Sequence, residues 1–375
     1  MAVIHPRVRN RGPIVQTTDV DLSCQILPDV LGGRIETATP LRHNEGNAAT
    51  GGIWRVRGPG GTAILKVAQP PSGTAGSSWP TSDEPTHYNY WRREVLAYTT
   101  GLAGRVYADA GIAVPEPLAT GTRPGGAVEL WLADVPGVPG TSWPVPRLGA
   151  FAHELGAAQA RWAGRVPDLP WLSRRWLAQY LDHGPSRVVW IDRDEHWNHP
   201  LAEVWPAGVR QCLRQLWERR DRYRAAAEAQ PRTLCHLDVW PTNLIDDAGT
   251  SVLLDWSFIG DGAIGEDAAN LIVDSVTDGL IDAVLLPEIT ATVTDGYLAG
   301  LRDGGFTGSP DPVRRAIAIC GAAKYCWFGP AVLSRVLRDG TFGHPQYGQD
   351  EGGQAAVDRL RGLVELLAAW AGDLP

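Results

Sequence analysis

Lysine is nearly absent from this chain of 375 residues: only Lys66 and Lys324 occur, although lysine and arginine together number 34. There is therefore no lysine-rich tract, and with 42 acidic residues the formal charge is −8, which disfavours nucleic acid as the main partner. Cysteine is scarce too. Cys24, Cys212, Cys235, Cys320 and Cys326 make no C-x-x-C pair and no zinc spacing, so a disulfide framework or structural zinc site is not expected. No apolar run is long enough to cross a bilayer, and Met1–Asn10 lacks the apolar core of a secretion signal, so a cytoplasmic location without a membrane partner is expected. No G-x-G-x-x-G loop joins the first predicted strands, where His43–Gly52 stands instead, and an A-P-E segment is missing, which argues against a protein kinase.

What is present concentrates near Leu234-Cys-His-Leu-Asp-Val-Trp-Pro-Thr-Asn-Leu-Ile245 and Ser251-Val-Leu-Leu-Asp255. His236, Asp238 and Asn243 stand in the order H-x-D-x-x-x-x-N, and Asp255 ends an apolar, strand-like run. That order suits phosphoryl transfer, where the protein aligns oxygens and neutralises spread charge rather than forming covalent bonds. Asp238 would orient the acceptor hydroxyl. An Asn amide oxygen and an Asp carboxylate are hard ligands that suit Mg²⁺. His236 is read as organising the loop, because Asp238 fits the base role better.

Upstream, Gly52–Arg57, the Gly58-Pro-Gly-Gly61 turn and Thr62–Val67 read as strand, turn, strand, with Lys66 on the second strand. An ammonium in an otherwise arginine-using chain suits bridging of phosphate oxygens. Tyr90–Tyr98 has helical spacing and offers Glu94 as a partner for Lys66, with Glu84 as a competitor. The stretch His43–Gly52, with Asn47 in it, is small and polar enough to bring backbone amides to phosphates. Gln69–Asp83 is rich in Pro, Gly and Ser and reads as a loop.

With Lys66, Glu94, the catalytic loop and Asp255 in this order, the chain resembles the aminoglycoside phosphotransferase and choline kinase family of small-molecule kinases. The resemblance runs from about Arg34 to the C-terminal helices, most specifically in His236–Asn243, Leu254–Gly260 and Gly265–Leu271. It implies an α+β, two-lobed protein-kinase-like fold, with a small antiparallel-sheet lobe and a larger, mostly helical one. The expected division is an N-terminal extension over 1–33, a nucleotide-binding lobe over 34–135 and a helical lobe over 136–375. By the same resemblance Asp238 is the base, Asn243 and Asp255 bind Mg²⁺, and Lys66 contacts the phosphates of ATP or GTP with Glu94 as partner. Asp267 braces the loop, and the hinge Trp131-Leu132-Ala133-Asp134-Val135 holds the nucleotide base through its backbone.

Helices are expected over Leu148–Ala163, Arg174–Leu181 and Val204–Ala227, and again beyond Asp267. Between hinge and catalytic loop lie Trp162, Trp171, Trp176, Trp190, Trp197 and Trp205, mostly read as packing, with some available to stack on a substrate ring. His183, His196 and His199 lack metal-binding spacing. The expected acceptor is a small molecule with a hydroxyl, most simply an aminoglycoside, nucleoside or peptide antibiotic that the kinase inactivates. An acidic acceptor site would suit polycationic aminoglycosides. A metabolic kinase acting on an amino alcohol, sugar or homoserine-like acceptor and a non-catalytic nucleotide-binding pseudokinase are the alternatives.

Overall fold

The computed structural model describes residue 24 and residues 26–71, 79–183, 189–342 and 351–372. Most of the expected N-terminal extension, the middle of the Pro/Gly/Ser loop and the His183 side chain lie outside them.

The strands Thr37–Pro40, Thr50–Gly58, Gly61–Ala68, Val128–Ala133 and Pro117–Thr122 form one sheet, adjacent in that order and antiparallel throughout. Pro59-Gly60 closes the hairpin expected around Lys66, pairing Gly58 with Gly61. Alternation then sorts the side chains. Trp54, Val56, Ala63, Leu65, Val67 and Trp131 form a core on one face. Ile53, Arg55, Ile64, Lys66 and Leu132 line a cleft on the other.

Beyond the sheet the chain is mainly helical. The Val145–Trp162 and Leu286–Asp303 helices lie against each other at very short range, because glycines face one another. A Cβ added to Gly300 would stand 1.9 Å from the His153 carbonyl oxygen, and one added to Gly149 would stand 2.4 Å from Thr292. The segment read as one helix from Val204 to Ala227 is two, Ala207–Glu218 and Arg220–Glu228, joined at Arg219, whose backbone leaves helical geometry.

The expectation that nothing could span a bilayer needs correction by length and composition alone. Among the described residues, Pro310–Asp339 holds an 18-residue window that is apolar enough, with a mean hydropathy of 1.4, but 89% of that window is buried inside the protein. It packs as a core element, with Val313, Ile317, Phe328, Val332 and Val336 in the main hydrophobic cluster.

Candidate active site

Two short antiparallel pairs present the acids. The strand Arg232–Cys235 pairs with Gly260–Ala263, and Leu244–Asp247 pairs with Thr250–Leu253. Asp238 lies in the loop between Cys235 and Leu244, and Asp255 follows Leu253. Leu237 and Asp255 both adopt left-handed backbone angles, with φ of 69° and 57°. Such conformations are costly outside glycine and persist where surrounding bonds enforce them.

Asp267 supplies that enforcement for the catalytic loop. Its carboxylate accepts from the backbone N–H groups of His236 (2.8 Å) and Leu237 (2.7 Å) and from the Gln159 side-chain amide (2.7 Å). Tyr297 in turn donates its hydroxyl to Gln159 across 2.6 Å. The close, glycine-lined helix pair therefore delivers one residue from each helix to the back of the loop.

His236 is fully buried, and its Nε2 lies 2.9 Å from the Leu254 carbonyl. Burial pushes its pKa down to about 4, so the ring is neutral and must carry its proton on Nε2 to make that bond. It joins the two acid-bearing loops. It is not among the residues lining the cleft.

Asp238, Asn243 and Asp255 do line it, together with Lys66 and Glu94. Asn243 donates its Nδ2 to both the backbone oxygen and Oδ2 of Asp238, each at 3.0 Å, and its own carbonyl accepts from Leu254 N–H at 2.8 Å. Asn243 is thereby fixed next to Asp255. Burial and the Asp255 charge raise the Asp238 carboxyl to about 7, with Lys324 opposing.

Lys66 Nζ is 2.5 Å from Glu94 Oε2 and 2.9 Å from Asp255 Oδ1. Burial works against its charge, but the two carboxylates outweigh that and hold the ammonium well above its ordinary range. Ser257 donates its hydroxyl to Asp255 Oδ1. Despite burial, Lys66 and that hydroxyl keep Asp255 below the usual carboxylate value. Glu84, the competing partner, is exposed and accepts from Thr86 instead.

Asn47 lies at the cleft, and its Oδ1 accepts from Ala49 N–H (3.0 Å) and Asn89 Nδ2 (2.9 Å), so it shapes the small polar loop. At the hinge, Leu132 and Ala133 line the cleft. Trp131 does not join them through its side chain, because strand alternation sends it into the core. The Ala133 N–H donates to the Glu116 carbonyl.

Of the tryptophans between hinge and loop, only Trp176 lines the cleft; Trp171, Trp197 and Trp205 are buried in the main core. His199 caps a turn by accepting from Leu201 N–H, and His196 packs edge-on against Trp190.

Sequence reasoning passed over three residues. Arg93, fully buried beside Glu94, donates to the carbonyls of Pro85, His87, Tyr88, Trp171 and Ser257. Asp274 and Lys324 also line the cleft, and both act on the charge of Asp238. The scarcity of lysine was the signal that would have drawn attention to Lys324.

Mg²⁺ fits the donor set. With its Nδ2 engaged by Asp238, the Asn243 amide keeps its oxygen as a ligand, and Asp255 keeps Oδ2, its other oxygen being taken by Lys66 and Ser257. Among the described residues no three His, Cys, Asp or Glu side chains converge as a closed metal site. A Mg²⁺ ion completed by phosphate oxygens and water does not need one.

A model of the phosphotransferase enzyme family matches residues 53–304. Among solved structures, the chain is similar to the amicoumacin kinase hAmiN, bound to AMP-PNP, Ca²⁺ and amicoumacin: TM-score 0.50, 15% identity, covering 87% of this chain and 88% of that one. It is also similar to a choline/ethanolamine kinase family protein from Mesorhizobium loti, with TM-score 0.46, 16% identity and coverage of 90% and 88%. A third is a thermostable mutant of the aminoglycoside phosphotransferase APH(4)-Ia with AMP-PNP and hygromycin B, with TM-score 0.44, 17% identity and coverage of 91% and 96%. No curated protein sequence matches.

Proposed function

The chain belongs to the phosphotransferase enzyme family, whose small-molecule kinases act on hydroxyl groups, and on that premise we propose that it is a Mg²⁺-dependent kinase that inactivates an antibiotic. One observation carries the catalytic part. Lys66 is held between Glu94 and Asp255 in the same cleft as Asp238 and Asn243. A set this complete is what transfer requires and what a nucleotide-holding protein without turnover does not need.

In the proposed reaction Asp238 accepts the proton of the acceptor hydroxyl. The acceptor oxygen forms a bond to the terminal phosphorus of ATP or GTP, the bond to the bridging oxygen breaks, and the nucleoside diphosphate leaves with the electron pair. Lys66 holds phosphate oxygens, and Glu94 keeps its ammonium in place. Asn243 and Asp255 would hold Mg²⁺, which when bound neutralises charge on the phosphates. The hinge backbone beyond Ala133 faces the base, whereas the loop around Asn47, expected to bring amides to phosphates, walls the cleft instead: its N–H groups from Gly46 to Thr50 are already bonded to Asn44, Asn47 and Trp79.

The antibiotic assignment draws support from the size of the cleft. At about 850 Å³ it is large enough for a nucleotide and a sizeable acceptor together. The test is to incubate the protein with Mg²⁺ and ATP or GTP against amicoumacin, hygromycin B, nucleoside and peptide antibiotics, choline and simple sugars. Phosphoryl addition is read by mass spectrometry, with Asp238→Ala as control. A phosphorylated antibiotic, absent in the control, is the expected result. Product only from choline or a sugar would replace the antibiotic by a metabolite, and product undiminished in the control would remove Asp238 from its role.

A further inference from the structure

The end of the cleft away from Lys66 has its own chemistry. Trp176 and Tyr180 stack there with ring centroids 4.7 Å apart and planes 14° from parallel. Tyr325 adds a third ring. Lys324 Nζ sits over all three, 4.9 Å from the Trp176 centroid, 5.6 Å from Tyr180 and 5.3 Å from Tyr325. Asp274 stands 3.9 Å from the same ammonium and accepts the Tyr325 hydroxyl at 2.5 Å. Lys324 is itself only 4% exposed.

Aromatic faces flanked by a carboxylate are the standard receptor for an ammonium group, attracting it through the ring quadrupole and the acid together. Here that receptor already holds an ammonium supplied by the chain. The arginine-rich composition sharpens the point: a planar guanidinium would meet rings by stacking, whereas the compact Lys324 ammonium occupies the position a ligand amine would take. A second cation brought to the same rings would meet a like charge in a poorly solvated place. The charged groups that share this cleft with Lys324 are Asp238, Asp274, Asp278 and Arg335, so the internal ammonium is held by carboxylates as well as rings.

We propose that Lys324 is a specificity-determining residue that fills an aromatic ammonium cage from within, so that the acceptor presents no cationic group to Trp176 and Tyr180. The acceptor class is then a hydroxylated, ring-bearing molecule whose end at this wall is uncharged, rather than a polyamine sugar or a quaternary amino alcohol. This rests on the kinase reading for the word acceptor. The cage itself does not.

The experiment therefore measures binding without turnover. Choline and propylammonium are titrated by calorimetry into the full-length protein, into Lys324→Ala, and into Lys324→Gln in case the alanine variant does not fold. Removing the internal ammonium should open the cage and leave Asp274 to receive the added one. At least a ~10-fold gain in choline affinity over the parent is expected, a size in keeping with ammonium–aromatic attraction. Equal affinity in parent and variants, or no binding in any of them, overturns the proposal. Mg²⁺-dependent binding of ATP to the parent, measured in parallel, tests the kinase reading separately.

Discussion

Gln159 and Asp267, 108 residues apart in sequence, meet across 2.7 Å behind the catalytic loop. The contact depends on glycine, because the 145–162 helix approaches the 286–303 helix closely enough for Tyr297 to hold the other end of the Gln159 amide. Asp267 can then keep two consecutive backbone N–H groups, forcing Leu237 into its left-handed turn and projecting Asp238 forward. Replacing Gln159 by Met leaves Asp267 and Tyr297 each short of a buried partner. The expected cost is about 1–3 kcal/mol in urea unfolding, together with a lower kcat. Unchanged stability would mean that the brace carries no strain.

Lys66 and Glu94 should behave as one unit. Glu94→Gln and Lys66→Met are each expected to raise KM for the nucleotide and lower kcat. The double variant should be little worse than Lys66→Met, leaving a coupling of about 0.5–3 kcal/mol in a double-mutant cycle. Lys66→Arg is not expected to restore activity, since a fork of donors cannot occupy the point between Glu94 and Asp255. Additive losses in kcat/KM would show the pair to be incidental.

Activity should rise with pH through about 7. Burial and the nearby Asp255 charge hold Asp238 up to about 7, and only its ionised form can accept a proton from the hydroxyl. Below that value the protonated fraction grows and activity falls. The acidic limb belongs in kcat/KM for the nucleotide, which reports the free enzyme. Asp255→Asn, by removing the neighbouring negative charge, should shift whatever activity remains to lower pH. A limb unmoved by that change would assign it to another group.

Arg93→Lys is expected to be a severe substitution despite the conserved charge. Arg93 donates to five backbone carbonyls drawn from the approach to its own helix, from Trp171 and from Ser257. A lysine offers three donors from one point, so at least two of those carbonyls lose a partner in a buried setting. At roughly 1–3 kcal/mol for each unsatisfied group, thermal unfolding should reveal the loss directly. A melting temperature equal to the parent's would contradict this.

Legibility in the sequence followed the range of the interactions. His236, Asp238, Asn243 and Asp255 lie within twenty residues on short paired strands, so their spacing already encodes their meeting. Lys66 was readable because a hairpin with a tight turn fixes strand alternation, and Glu94 because it lies on the next helix. Arg93 was not, because its partners are carbonyls, which leave no trace in residue type. Gln159 was hidden for a related reason, because it acts through contacts made only when helices far apart in the chain pack together; the rarity of lysine marked Lys324, but its ring partners depend on the same kind of packing. The hinge shows both sides, since alternation, properly counted, already turns Trp131 away from Leu132.

The two lysines line one cleft, Lys66 between Glu94 and Asp255 and Lys324 beside Asp274. For chemical biology this makes every lysine side chain a reporter of the working space, with no bystanders on the surface. Among lysine side chains, an acylating reagent can land only on these two. ATP should shield Lys66 from it, leaving labelling of Lys324 to be read separately by peptide mass spectrometry. Enzymatic lysine modification faces the same geometry: while the chain stays folded, it meets a surface that offers it no substrate.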